Sequence, residues 1–401
     1  MRVLIIGAGA SGMLAALTAA RSGHEAVLFE RQSRVGRKLA ATGNGRCNIT
    51  NTGADVSRYH GENPEFARPA LEALPVADTL ALFRGIGLLT REEYGGRVYP
   101  LSNSANSVTD TLRFALEAEG VRLVSGDRVR ALSRAAEGFA VTTESGARVE
   151  GAAAIVACGG LAGEKLGGGR DGYELLKSLG HSRTALYPAL AQITTAPEYP
   201  RSLKGVKADC AMRLTRGRDV LAESSGEALF AETGVSGPAA FDLARTVSAE
   251  GDGLTLTLDF LRDYSFGEVL GYLRSRLENA PQLTAGELFI GAAPNRLARM
   301  LAKYAGLKQD APAASLDARA LKSLAGAAKN FALPVRGTEG FAAAQVTAGG
   351  IRTSEFDAAT MRSRLVPGLY ACGEVLDIDG DCGGFNLQWA WSSGHLAGRL
   401  L

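Results

Sequence analysis

Cysteine, histidine and tryptophan are scarce in this chain, with five, four and two of them among 401 residues. The cysteines (Cys47, Cys158, Cys210, Cys372 and Cys382) are scattered and form no C-x-x-C pair. That excludes a disulfide framework or a zinc ribbon and fits a reducing compartment. The four histidines stand far apart in sequence, which leaves no His-rich metal motif. Neither sign of charge is in excess. The formal net charge of +2 carries no electrostatic footprint of a nucleic-acid or membrane surface. A small-molecule partner is therefore expected, with neither nucleic acid nor membrane. Long unbroken apolar runs are missing as well. The opening MRVLIIGAGASGMLAALTAARSG approaches the length of a membrane span or a leader, but three glycines at fixed spacing interrupt its first half. It reads as the strand, turn and helix of a folded, cytoplasmic protein. At this length two or three domains are expected rather than one core.

What is present begins with RVLIIGAGASG. A buried strand, Val3 to Ile6, runs directly into Gly7-x-Gly9-x-x-Gly12 and an Ala-rich helix. Gly7 permits the tight turn, Gly9 lets the backbone approach a pyrophosphate, and Gly12 lets helix and strand pack closely. The helix N-terminus adds unpaired N–H groups and a partial positive charge. A second strand, EAVLFE, ends in Glu30, about 20 residues past the glycines, where a ribose hydroxyl is gripped. The bland alternative, a glycine-rich turn, explains neither the flanking elements nor the acid. Gly167-x-Gly169-x-x-Gly172 repeats the spacing, but no strand leads straight into it. It reads as a loop capping a helix that starts near Tyr173, so one dinucleotide fingerprint is expected and no resident nicotinamide domain.

Downstream features choose between FAD and NAD. RVGRKLAATGNGRCNITN, Arg34 to Asn51, is crowded with donors and suits a cofactor that extends past its pyrophosphate. A solvated basic loop is the plainer reading, for which Asn44, Cys47 and Asn48 are odd choices. Val121 to Cys158 reads as a β-meander. Near the end, GLYACGE runs into Glu374, followed by a Gly-rich turn and a helix from about Gly384. This layout resembles the FAD domain of the glutathione-reductase type, in which the terminal acid reaches the ribityl chain. In that domain the last helix points its N-terminus at the pyrimidine edge of the flavin. Both tryptophans, Trp389 and Trp391, fall on this helix two residues apart and so face different ways. One is expected to pack the helix onto the sheet and the other to line an interdomain seam, in preference to stacking on the ring.

The segments GRKLAATGNGRCNITN, GRVYPLSNSANSV, YPAL, GVSGP, QVTAGGI and PGLYACGEVLDIDGDCGGFNLQWAWSSG resemble, over nearly the whole chain, a family of bacterial NAD(P)/FAD-dependent oxidoreductases. That family includes a bile-acid dienone reductase and an aminoacetone oxidase. The resemblance implies an α/β fold: a glutathione-reductase-type Rossmann FAD domain (1–187 and 341–401), an inserted β-rich domain (188–262 and 331–340), and a nested small helical domain (263–330). The sequence supports the split independently. VKADCAMRLTRGRDVLAESSGEALF and LTLTLDF alternate like strands, and Phe266 to Lys329 is helical in pattern. Two positions depart from the family. Phe230 to Thr233, before GVSGP, stands where many relatives carry a Thr-His or similar polar pair, and Arg362 falls where an acid is common.

Carried over by motif, Gly7, Gly9, Ser11 and Gly12 would meet the pyrophosphate and Glu30 the adenosine ribose. Lys38, Gly43 and Arg46 would lie along the cofactor, and the Val129 backbone would meet the adenine. Gly373 and Glu374 would hold the ribityl side, and Asn386 and Leu387 the flavin edge. The cofactor would be tightly bound FAD, with NAD(P)H as a transient electron donor. No Ser-His-Asp or paired-carboxylate constellation stands out. For reduction of a C=C conjugated to a carbonyl, the candidate donors are Tyr99, Arg97 and Tyr187, each of a type more often structural. Cys47 and Cys382 could form a redox pair, although a small buried residue is the better reading of both. Four functions stay open: a reductase of a hydrophobic enone, an oxidase of a small amine such as aminoacetone using O2, a tRNA-acting flavoprotein, and a non-enzymatic flavin sensor.

Overall fold

A computed structural model describes residues 1–401. The chain divides into two compact units, Met1–Pro188 with Phe341–Leu401, and Ala189–Gly340.

The first unit opens on β1 (Arg2–Ile6), whose last four side chains are buried, and α1 (Ala10–Arg21). Burying an aliphatic side chain contributes about 1.5–3 kcal/mol, so this short apolar run anchors the sheet. Next come β2 (Glu25–Glu30), α2 (Arg37–Gly45), β3 (Thr50–Asn51) and β4 (Tyr59–His60). Two short helices, α3 (Arg68–Ala73) and α4 (Val76–Gly85), precede the strands β5 (Thr90–Glu92) and β6 (Arg97–Pro100). α5 (Ala105–Ala118) leads to β7 (Arg122–Ser125), β8 (Val129–Ala135), β9 (Gly138–Thr143), β10 (Arg148–Gly151) and β11 (Ala153–Val156). α6 (Asp171–Ser178) and β12 (Tyr187–Ala189) complete the N-terminal segment.

The second unit starts with β13 (Ile193–Thr195), α7 (Pro200–Leu203), β14 (Lys207–Arg216), β15 (Asp219–Phe230) and β16 (Gly234–Ser236). α8 (Pro238–Glu250), β17 (Leu254–Asp259), α9 (Phe266–Asn279), α10 (Asn295–Tyr304), α11 (Ala318–Lys329) and β18 (Phe331–Thr338) follow. Its six strands close into a barrel in the order β13-β16-β15-β14-β17-β18, which leaves no sheet edge exposed. Alternation builds it: Ala208, Cys210, Met212 and Leu214 on β14 and Leu254, Leu256 and Leu258 on β17 are buried while their neighbours face outward. Two of its helices begin on readable caps. Ser265 and Glu268 form a reciprocal capping box at α9, and Asp317 caps α11.

The chain returns to the first unit through β19 (Val346–Ala348), β20 (Leu369–Ala371), β21 (Asp379–Gly380) and α12 (Phe385–Gly398). The central sheet is parallel, in the order β20-β11-β1-β2-β7. The meander expected over Val121–Cys158 is therefore only its middle. β7 and β11 join the parallel sheet, and β8, β9 and β10 form the antiparallel ribbon. β10 reads RVEG, too polar to signal a strand locally, whereas β11 is buried along its whole length, as a strand covered on both faces must be. Glycine brings the two chain ends together. A side chain at Gly394 of α12 would lie 2.3 Å from the Ser11 carbonyl, and one at Gly398 2.5 Å from that of Ala15, so α12 rests directly on α1.

Both tryptophans are core residues of this unit, which corrects the expectation that one lines a seam. Trp389 meets Phe66 edge-on at 6.4 Å and Trp391 meets Phe83 at 5.1 Å. Trp391 Nε1 donates to the Ile49 carbonyl at 2.9 Å. The pair glues α12 onto the α3–α4 segment.

Candidate active site

The three fingerprint glycines differ in what surrounds them. At Gly7 (φ +104) an added Cβ would lie 2.5 Å from the Ala157 carbonyl, and at Gly12 1.8 Å from that of Gly7. At Gly9, the N-cap of α1, it would meet nothing within 4 Å. The first two close the turn, and the third leaves open ground beside an uncapped helix N-terminus. Glu30, at the end of β2, accepts the Ala8 N–H at 3.0 Å and the Gln32 N–H at 2.8 Å, so its carboxylate is held beside that turn. Val129 is buried at the start of β8. The second glycine run plays a different part, since the Gly167 and Gly168 carbonyls accept from Arg31 Nη2 at 2.6 and 2.8 Å. It presents acceptors to a cation, and α6 begins just beyond it.

Residues expected along the cofactor come together across the length of the chain. Lys38 Nζ lies 2.6 Å from Glu374 Oε2, and Glu374 Oε1 accepts the Thr347 N–H at 2.8 Å. Gly373 sits at φ +75 because a Cβ there would lie 2.4 Å from Ser11 Oγ, and its N–H donates to Ser393 Oγ at 2.9 Å. Ser11 thus faces Gly373, where the two chain ends meet. α2 departs from helical geometry at Thr42, Gly43 and Asn44, turning the chain toward β3.

The N-terminus of α12 is the second focus. Its N-cap, Gly384 (φ +105), has no side-chain cap, and a Cβ there would lie 2.6 Å from the Thr50 carbonyl and 2.9 Å from Asn48 Oδ1. Asn48 Oδ1 is buried with no hydrogen-bond partner. Asn51 Nδ2 donates to the carbonyls of Gly383 (2.9 Å) and Gly95 (3.1 Å), tying the helix start to the β5–β6 turn. Below, Gln388 is fully buried and bonded to Thr50, Thr79, Ser392 and the Leu74 carbonyl. Asn386, expected as a polar contact at the flavin edge, turns its amide back onto the Gly380 backbone, accepting at 2.8 Å and donating at 2.7 Å. Leu387 beside it is half-buried.

Of the candidate donors, Tyr99 is buried beneath the Arg46 guanidinium, which lies 4.0 Å from its ring centroid. Arg46 is held in turn by Glu93 at 2.6 Å and by Asn103. That hydrogen bond holds the Glu93 carboxyl below the usual carboxylate range. Arg97 Nε lies 3.6 Å from the position a Cβ on Gly383 would take, beside α12, and Tyr187 is half-buried on β12. Burial pushes the Cys47 thiol up to about 12, which removes the thiolate a redox partner of Cys382 would need. Cys382 itself is half-buried rather than buried. Sequence reading missed the Lys38–Glu374 contact, the unpartnered Asn48 carbonyl and the buried Gln388 network. Only the crowding of Asn and Lys in Arg34–Asn51 hinted at the first two.

Over residues 1–400 the chain matches the family described as the HI0933-like protein Rossmann domain. The chain belongs to this family. It is accordingly an FAD-dependent oxidoreductase. A 3-dehydro-bile acid delta(4,6)-reductase from Clostridium scindens is 40% identical over 403 residues, 99% of this chain and 98% of that protein. A ribosomal RNA dihydrouridine synthase from Escherichia coli is 30% identical over 394 residues, covering 97% and 95%. Among solved structures, 3-ketosteroid delta1-dehydrogenase from Sterolibacterium denitrificans shares the fold, with a TM-score of 0.53 at 14% identity over 99% of this chain and 98% of that one. The residues present fit FAD. Gly9 leaves the approach a pyrophosphate needs, Glu30 ends β2, Glu374 lies in the turn just after β20 of the same sheet, and the unpartnered Asn48 oxygen sits at an uncapped helix end. No helix is long and apolar enough to cross a membrane. A charge balance that disfavours nucleic acid does not settle the partner, since one relative in this family is named for ribosomal RNA.

Proposed function

We propose that this protein reduces a carbon–carbon double bond conjugated to a carbonyl in a small hydrophobic substrate, with electrons from NADH or NADPH. One observation carries the reading. Two relatives that align with almost the whole chain are named for the same bond change. A 3-oxo-4,6-diene and the C5=C6 bond of uracil are both unsaturated carbonyl systems. Each is saturated by hydride at a carbon conjugated to the carbonyl and a proton on its neighbour. The steroid-like substrate takes precedence because its relative is the more similar, at 40% against 30% identity.

When bound, FAD supplies the hydride. In this reading the uncapped start of α1 and the open backbone at Gly9 hold the pyrophosphate, and Glu30 holds the ribose. Lys38 and Glu374 hold the ribityl hydroxyls with opposite charges, a cation that donates and a carboxylate that accepts. The first turn of α12 turns its N–H groups and partial positive charge toward the pyrimidine edge, where reduction places negative charge. Such a helix end contributes roughly 0.3–1 kcal/mol when exposed and up to ~2 when partly buried. In this reading Arg97, whose Nε lies beside Gly383, hydrogen-bonds a carbonyl oxygen as it gains charge. Tyr99 serves the site by stacking under Arg46, not by donating a proton.

The test is anaerobic stopped-flow absorbance at the flavin maximum. The purified yellow protein is mixed with NADH or NADPH, then with a steroidal 4,6-dien-3-one, a uridine-containing ribosomal RNA fragment, or air. Bleaching by one nicotinamide and recolouring by the dienone is the expected result. Recolouring by the RNA alone would replace the substrate class. A flavin that neither nicotinamide reduces, but an amine does, would replace the reductase by an oxidase.

A further inference from the structure

One pair of side chains at the start of α12 takes no part in the steps above. His60 ends β4 and Asp381 follows β21, and the two strands pair antiparallel with Asp379 opposite His60 and Gly380 opposite Tyr59. That register brings His60 Nε2 to 2.7 Å from Asp381 Oδ1. Asp381 is itself fixed. Its Oδ2 faces Arg58 Nη1 at 3.4 Å, its N–H donates to the Arg58 carbonyl at 3.0 Å, and its own carbonyl accepts from Asn386 Nδ2 at 3.3 Å. Asp381 lies three residues before Gly384, so the pair borders the helix end assigned above to the flavin edge. The imidazole keeps 39% of its side-chain surface exposed and the carboxylate 24%.

The contrast with His181 is informative. That imidazole is wholly enclosed, between Glu355 at 2.8 Å and Ser363 at 3.0 Å, and stacks on Phe356 at 4.6 Å. His181 is a structural clasp that no substrate could reach. His60 has the same kind of carboxylate partner and an open face. A surface ion pair alone would be worth about 0–1 kcal/mol, too little to explain an aspartate held by backbone and side chain from three directions. An oriented imidazole beside a reacting centre is the arrangement general acid catalysis requires.

We propose that His60, oriented by Asp381, is the proton donor of the reduction, an inference that rests on the function proposed above. Hydride addition at the conjugated carbon moves the π pair onto the carbonyl oxygen as an enolate. The His60 imidazolium gives its proton to the adjacent carbon. The enolate pair forms the new C–H bond, the carbonyl is restored, and the imidazole is left neutral with its Nε2–H still held by Asp381. Solvent at the exposed face returns the proton. The charged groups near the imidazole are Asp381, Arg58 on the other oxygen of that carboxylate, and Asp379 opposite His60 in the strand pair. Asp377, whose Oδ2 accepts the Glu62 N–H at 3.0 Å, lies farther along.

The experiment compares FAD-loaded wild type, His60→Gln and Asp381→Asn in the two half-reactions. Reduction by the nicotinamide should stay within about twofold of wild type in both variants. Recolouring by the 4,6-dien-3-one should slow about 100-fold or more in His60→Gln, in line with the loss of a general acid, and by less in Asp381→Asn. The wild-type rate should fall as pH rises and the imidazolium gives up its proton to solvent, and the His60→Gln rate should not. Imidazole 15N shifts supply a readout independent of turnover: neutral His60 should be the Nε2–H tautomer in wild type and a mixture in a third variant, Asp381→Ala, which has no acceptor. A His60→Gln enzyme that reoxidises within threefold of wild type with the same pH profile overturns the proton donor alone, as does an unchanged tautomer in Asp381→Ala. A wild-type enzyme that no unsaturated carbonyl reoxidises overturns the function and this inference together.

Discussion

Three helices of the first unit begin on glycine without a side-chain cap, and the starts of two of them, α1 and α12, are built in opposite ways. α1 starts at Gly9 in ordinary extended geometry (φ −80) with open space around it. α12 starts at Gly384 in the left-handed region (φ +105), walled in by the Thr50 backbone and Asn48. The first start is cleared from inside its own motif at Gly12, which would otherwise strike the Gly7 carbonyl, while Gly7 clears the carbonyl of Ala157 just past the end of β11. The second is shaped by a strand more than 300 residues earlier. A start cleared largely by its own motif leans little on distant chain, whereas a helix start that leans on distant backbone exists only when the whole unit is folded. The same glycine therefore serves ligand access at one end and packing at the other.

Substitutions that add one methyl group separate those two roles. The largest effect is expected at Gly12→Ala, whose Cβ would lie 1.8 Å from the Gly7 carbonyl. It should cost at least about 3 kcal/mol and abolish the yellow colour, as read by chemical denaturation and by absorbance of the purified protein. Gly384→Ala should cost about 1–3 kcal/mol, from the left-handed backbone and the Thr50 contact. Its FAD should be lost only in proportion to unfolding. Gly9→Ala should leave the midpoint of denaturation within about 0.5 kcal/mol of wild type while weakening FAD about tenfold or more, a change of about 1.4 kcal/mol measured by fluorescence titration. Equal loss of stability at Gly9 and Gly384 would erase the distinction.

The smallest effect concerns pH. Burial, against the pull of Glu355, lowers the His181 pKa from its ordinary value, and burial also lowers that of His395. The unfolded chain then binds more protons than the folded one below about pH 6.5. Stability is thus fully present above that value and is lost as pH falls through the lower folded values. His181→Gln should flatten part of that slope in denaturation curves between about pH 7 and 5. A steeper slope in the variant would refute the assignment.

Legibility followed the range of the interactions. The β1–Gly–α1 turn, the β-branched strands of the second unit and the capped helices α9 and α11 could all be read from neighbours a few residues apart. The placement of β7 and β11 in the parallel sheet could not, because pairing partners, not strand propensity, decide sheet membership. The tryptophans were read as packing residues, yet their place under α3 and α4 depends on Phe66, Phe83 and Ile49, far upstream. Lys38 and Glu374 were each expected along a cofactor, but the sequence did not show them as each other's partners. His60 gave no signal at all, since a single histidine before a polar turn is ordinary until a strand pairing brings it to an aspartate.

By itself the sequence determined the tight turn from β1 into α1, because the exclusion of a Cβ at Gly12 by the Gly7 carbonyl and the openness at Gly9 are steric facts of one short segment. It likewise determined that barrel strands and capped helices lie between two halves of a Rossmann domain, through alternation and capping that act locally. The tertiary structure alone decided the barrel's closure, the meeting of α1 and α12 at Gly394 and Gly398, and the pairing of Lys38 with Glu374 and of His60 with Asp381. Those contacts join positions up to nearly 400 residues apart. Local propensity carries no information about such distances, because each contact is set by the packing of whole elements.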